Sequence, residues 1–184
     1  MAHYFIAIPI TKELAEEISI WQIDLKEKLA YKNWPYQDDL HITLKFLGEV
    51  EDKKLERLRN ELKSVQYHDF SITIGSIGTF GKDDRPRVLW AGVENTDEVN
   101  GLHNKIEEVS ASVGFPKENR PYRPHITLAK KWNGTTVHTM HLDEIKELYK
   151  DKTYTLHVDE FVLYQIFPSQ IPKYKRIDTF QLIH

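Results

Sequence analysis

The chain has 184 residues, 40% of them hydrophobic, enough to bury a good core in one large domain or two small lobes. It contains no cysteine, which excludes disulfides, thiolate nucleophiles, zinc-cysteine sites and iron–sulfur clusters. A formal net charge of −3 argues against coating long nucleic acid by bulk electrostatics, yet leaves room for a small anion at one focused site. No apolar run has the length to span a bilayer, and Met1 to Ile10 reads as strand rather than leader, so the expectation is a soluble, cytoplasmic protein with no membrane contact.

Tyr4 to Ile8 is rich in strand formers and is closed by Pro9, which predicts an edge or terminal strand. Thr11 is a natural helix cap, and Leu14, Ile18, Trp21, Leu25 and Leu29 recur at helical spacing, predicting an amphipathic helix to about residue 30. Trp34-Pro35 breaks that pattern, and Asp39 to Gly48 reads as a strand. Leu55, Leu58 and Leu62 among charges predict a surface helix over 51–65, with the run Glu49, Glu51, Asp52, Lys53, Lys54 as its solvated start.

Phe70 to Phe80 and Arg87 to Val93 read as a hairpin joined by a polar turn at Gly81 to Pro86. Val99, Leu102, Ile106, Val109 and Val113 predict a helix over 97–113 that Gly114 ends. A short helix at Asp143 to Lys150 is then followed by strands at Tyr154 to Phe167 and Tyr174 to Ile183, again paired as a hairpin.

One tetrapeptide is written twice, as His41-Ile42-Thr43-Leu44 and as His125-Ile126-Thr127-Leu128, about half a chain apart. On a strand, residues two apart share a face, so each copy presents an imidazole beside a hydroxyl while isoleucine and leucine enter the core. Two such strands side by side would line one cleft with two imidazoles and two hydroxyls. The element order replays in part, so we expect residues 1–184 to form a single α+β domain of two related lobes. Mixed sheets would be covered by helices, with the cleft where the motif strands meet.

That inventory suits attack of water on a phosphodiester, above all a five-membered cyclic one. A neutral imidazole takes a proton from water while a protonated one delivers a proton to the departing oxygen. Threonine hydroxyls can donate to the non-bridging phosphate oxygens as charge gathers there. Symmetry alone leaves open which histidine does which.

The residues resemble the two-histidine (2H) phosphoesterases, and within them the bacterial RNA 2',3'-cyclic phosphodiesterases, also called 2'-5' RNA ligases. The resemblance spans Phe5-Ile6-Ala7-Ile8, Asp39 through Val50 around the first motif, Arg87-Val88-Leu89-Trp90, Asn119 through Leu128 around the second, and Phe161-Val162-Leu163-Tyr164. It implies a bilobal α+β fold with pseudo-two-fold symmetry, antiparallel or mixed sheets and no metal or other cofactor. It makes His41 the proton donor, His125 the acceptor, and Thr43 and Thr127 the phosphate ligands. The implied reaction opens an RNA 2',3'-cyclic phosphate to a 2'-phosphate, with reversible 2'-5' ligation secondary. Two positions depart from the family: His3 and Lys130 stand where it commonly has arginine, and lysine keeps the charge but loses the bidentate fork.

Further candidate substrate contacts are Arg120 and Arg123 before the second motif, Lys45 on the face of His41 by period two, Lys130, His3, and Phe5 and Tyr122 as base-stacking rings. His138-Thr139-Met140-His141 offers two imidazoles without a third metal ligand and reads as a surface loop. The expected partners are RNA ends or small nucleotide cyclic phosphates, bound by a monomer. Two alternatives stand beside this: a 2H phosphodiesterase for 2'-5' oligoadenylate or another cyclic nucleotide phosphate, and an RNA-end binding module without turnover.

Overall fold

The computed structural model describes residues 1–134 and 139–184. The strands are β1 (His3–Pro9), β2 (Tyr31–Asn33), β3 (His41–Glu49), β4 (Phe70–Lys82), β5 (Arg85–Val93), β6 (His125–Trp132), β7 (Thr153–Val158), β8 (Glu160–Ile166) and β9 (Tyr174–Gln181). The helices are α1 (Lys12–Lys26), α2 (Asp52–Leu62), α3 (Asp97–Ser112) and α4 (Thr139–Glu147). Among the described residues, eight strands lie in the order β7-β4-β5-β6-β3-β1-β8-β9, all neighbours antiparallel, and β2 pairs with β6 beside this path. The path reads alike from either end and turns about the β3–β6 pair, so the two expected lobes are halves of one continuous sheet.

The hinge between the halves is one residue pair, Ile42 opposite Ile126. Both are fully buried, as is Leu128, and Leu44 is nearly so. Antiparallel pairing at the second residue of each tetrapeptide sets His41 across from Thr127 and Thr43 across from His125, all four on the face away from the core.

Each motif ends in a β-bulge. Ile6 and Ala7 of β1 pair with Lys45 and Thr43, leaving Leu44 extra, while Leu89 and Trp90 of β5 pair with Ala129 and Thr127, leaving Leu128 extra. Two consecutive residues therefore point into the core in each strand, Leu44-Lys45 and Leu128-Ala129, and the alternation resumes one position late. The residues returned to the cleft face are Phe46 and Lys130.

Polar groups brace both bulges. Gln22 of α1 donates from its side-chain amide to the Leu128 carbonyl (3.0 Å), and the Tyr122 hydroxyl donates to the Thr43 carbonyl (2.8 Å). Lys45 reaches from β3 to Glu107 of α3 (2.9 Å) and to the Pro116 carbonyl (2.8 Å), with both charged side chains buried. Each bulge is thus held by the helix preceding the other motif: α1 runs from β1 yet packs on β6, and α3 runs from β5 yet packs on β3.

Four local expectations are revised. α1 begins at its Thr11 cap, whose hydroxyl accepts from the Leu14 amide (3.2 Å), but ends at Lys26; Leu29 is buried in the following turn, and β2, which was not expected, lies just before the Trp34-Pro35 break. β2 is three residues long and owes its pairing to Lys130 and Trp132, partners that local periodicity cannot reveal. The single strand expected over Tyr154 to Phe167 is two strands parted at Asp159, with β7 on β4 and β8 on β1 in opposite halves. The sheet curls so far that its ends meet there: Leu182 donates to the Asp159 carbonyl (2.8 Å) and Ile183 to that of Tyr67 (2.8 Å). α4 starts at Thr139, so His141 opens a helix rather than sitting in a loop; His138 lies outside the described residues.

Removing one partner of the buried ion pair strands the other's charge in the core. Glu107→Ala is expected to cost about 3–5 kcal/mol in urea unfolding, and the joint replacement Lys45→Met with Glu107→Leu clearly less. A loss below about 1 kcal/mol for Glu107→Ala would contradict this assignment.

Candidate active site

The two imidazoles are set by main-chain carbonyls two residues upstream. His41 Nδ1 lies 2.7 Å from the Asp39 carbonyl oxygen, and His125 Nδ1 lies 2.7 Å from that of Arg123. A carbonyl only accepts, so both Nδ1 atoms carry hydrogen, and in the neutral rings both Nε2 atoms hold a free electron pair. His41 Nε2 accepts from the Thr43 hydroxyl at 3.0 Å. Asp39 is itself buried, its carboxylate taking the main-chain amides of Lys173 (3.0 Å) and Tyr174 (3.1 Å).

Two chambers meet at the motif strands. The first, about 350 Å³, holds His41, Thr43 and Thr127 between apolar walls that include Phe5, Phe46 and Tyr174, with Lys130 and Lys173 also lining it. The second, about 570 Å³, holds His125 and Thr43 with Phe80 and Tyr122, and is ringed by Arg87, Arg120 and Arg123. Thr43 and Phe46 belong to both.

The aromatic walls govern the proton chemistry. His41 packs on Phe5 (centroids 4.7 Å) and against the edge of Tyr174 (5.3 Å), and His125 meets Phe80 edge-on (5.0 Å). Burial pushes the His41 pKa down to about 4; the Asp39 carbonyl resists this, and charge on His125 or Lys130 adds to it. Burial also lowers His125, against the pull of the Arg123 carbonyl. Lys130 is lowered by burial and by the nearby charges of Lys173 and Lys131.

The expected site residues divide clearly. His41, Thr43, Thr127 and Lys130 line one chamber, His125, Arg120, Arg123 and Tyr122 line the other, and Thr43 lies in both. Tyr122 has one ring face covered by His103 (centroids 3.9 Å, nearly parallel). Phe5 is buried, forming the floor under His41. Lys45 is a correction: the Leu44 bulge turns it away from the face of His41 and into its ion pair with Glu107. His3 lines neither chamber and lies 3.9 Å from Glu49 at the far end of β1.

Sequence reasoning missed Phe46, Arg87, Asp39, Lys173 and Tyr174. Phe46 is 62% exposed, and only the bulge places it on the cleft face, as it does Lys130. Arg87, Lys173 and Tyr174 arrive from distant segments, whereas Asp39, two residues before His41, gave the one local signal. Among the described residues, no group of three or more His, Cys, Asp or Glu side chains is placed to hold a metal ion.

Residues 11–166 match the family model of the 2'-5' RNA ligase superfamily. A Bacillus subtilis (strain 168) protein named RNA 2',3'-cyclic phosphodiesterase is 33% identical over 98% of this chain and 96% of its own length. A Geobacillus stearothermophilus protein of the same name is 35% identical over 99% of this chain, which spans only 58% of that relative's length. Among solved structures, E. coli LigT complexed with 3'-AMP superposes with a TM-score of 0.81 at 26% identity, covering 100% of this chain and 99% of that one.

A histidine with a lowered pKa in the folded state resists protonation there, so its share of stability is complete above about pH 6.5 and is lost as pH falls toward about 4. An NMR titration should give His41 a midpoint near 4, raised on adding inorganic phosphate, whose charge favours the imidazolium. A midpoint near 6.5 insensitive to phosphate would contradict this environment.

Proposed function

The chain belongs to the 2'-5' RNA ligase superfamily, and from that premise we propose that it hydrolyses RNA 2',3'-cyclic phosphate ends to 2'-phosphate ends by paired-histidine acid–base catalysis. The observation that supports the reading is the pairing of Ile42 with Ile126, which by antiparallel register sets each motif histidine across from the other copy's threonine.

The two chambers support a direction. The His41 chamber, walled by Phe5, Phe46 and Tyr174, suits a nucleoside, and Phe46 offers a ring on which a base can stack. The sugar oxygen that departs then lies on the side of His41, which donates its proton. Water attacks in line from the other side, where His125 Nε2 takes the proton. Thr43 and Thr127 donate to the non-bridging oxygens.

The lowered pKa of His41 bears on how the acid is loaded. An arriving phosphodiester brings negative charge to both imidazoles and favours a proton on His41. Once protonated, His41 Nε2 no longer accepts from Thr43, and that hydroxyl is released toward the phosphate. The chemistry uses no metal in this scheme, and one chain supplies both motif copies, so a monomer suffices. An RNA-end substrate fits a cytoplasmic setting. Reversible 2'-5' joining would replace water by a strand bearing a 5'-hydroxyl, whose phosphates Arg87, Arg120 and Arg123 could meet on the His125 side.

Protein treated with EDTA should open a 2',3'-cyclic phosphate on RNA and yield the 2'-phosphate. His41→Ala and His125→Ala should each lower turnover by at least about 10³-fold while the fold is kept. Full activity in both variants would overturn the mechanism, and tight binding of cyclic-phosphate ends without any product would instead mark a binding module.

A further inference from the structure

We propose that Lys173 receives the phosphodiester on the 5' side of the terminal nucleotide, making it a specificity residue by which the chain distinguishes an RNA end from a lone nucleoside cyclic phosphate. The inference rests on the reading that the His41 chamber holds the terminal nucleoside.

The placement of charge carries it. In a chain with 28 acidic against 25 basic residues, the His41 chamber is lined by two lysines, Lys130 and Lys173. Among the described residues no carboxylate forms an ion pair with either. Asp39 also lines the chamber, but its two oxygens are taken by the main-chain amides of Lys173 and Tyr174. Both lysines line the same chamber as His41, and Lys173 directly precedes Tyr174, whose ring packs against that histidine. Two unpaired ammonium groups side by side repel, and an anion between or beyond them relieves that repulsion.

The backbone under Lys173 is fixed, which a surface lysine of no consequence would not need. Besides donating to Asp39, Lys173 accepts from the Phe167 amide through its carbonyl (2.6 Å), and the next residue, Tyr174, packs against His41 and Phe5. The reacting phosphate already has the motif histidines and threonines. A base and sugar against the apolar walls leave the lysine rim to the next phosphate along the chain, one nucleotide from the reacting one. A nucleoside 2',3'-cyclic phosphate lacks that group, whereas any longer RNA end has it.

The test compares kcat/KM for a dinucleotide ending in a 2',3'-cyclic phosphate with that for the matching nucleoside 2',3'-cyclic phosphate. Lys173→Ala should lower the ratio of the two about 5–10-fold, through KM, with the effect fading at high salt, and Lys173→Arg should restore most of it. Lys175→Ala is the control, because Lys175 lies over the Phe167 ring (4.8 Å) outside the chamber. An unchanged ratio in Lys173→Ala overturns the proposal. Calorimetric binding of the same pair as their 2'-phosphate products separates this from any failure of the catalytic reading. Selective weakening of the dinucleotide supports the proposal even without turnover, and equal weakening of both refutes it.

Discussion

The site depends on one cross-strand contact, the buried pair of Ile42 and Ile126. An antiparallel pair is symmetric about its own midpoint, so identical tetrapeptides joined at their second residue place each histidine across from the other copy's threonine. A slip of one residue would send the imidazoles into the core and the isoleucines into the cleft. The register is held because both isoleucines and both leucines are apolar and buried, so the hydrophobic effect that builds the core also selects the arrangement of the polar face.

Past the motifs the two strands must do something a regular strand cannot, which is to return residues at odd spacing to the cleft. The bulges at Leu44 and Leu128 achieve this and expose main-chain carbonyls that need partners. Gln22 and Tyr122 supply them from elements belonging to the other half of the sheet, and the Lys45–Glu107 pair ties α3 to the same place. Cross-bracing of this kind makes the halves mutually dependent. It also explains why a buried ion pair is tolerated here, since its energetic return is small and its value lies in fixing β3 beside the site.

Much of the site was legible in the sequence because the motif is local: His41, Thr43, His125 and Thr127 follow from period two and from the repetition itself. The helices were legible from apolar spacing, with the Thr11 cap marking the start of the first. What escaped was non-local or broke the period. Lys45 was placed on the wrong face and Phe46 overlooked for one reason, since a bulge adds a residue without any mark in composition. The break at Asp159 was hidden because apolar residues continue on both sides of it, and only the pairing of β7 and β8 with strands in opposite halves separates them. Lys173 and Tyr174 reach the cleft through Asp39, whose role is a tertiary hydrogen bond that no spacing announces.

In the proposed mechanism the two motifs form one site in which neither histidine works alone. The most direct test is the turnover of the His41→Ala, His125→Ala double variant against the two single variants on a 2',3'-cyclic phosphate-ended RNA. Residues acting as a unit give a double variant about as slow as either single one. Losses that multiply, so that the double variant is slower by the product of both single effects, would contradict a composite site and assign the two histidines to independent tasks.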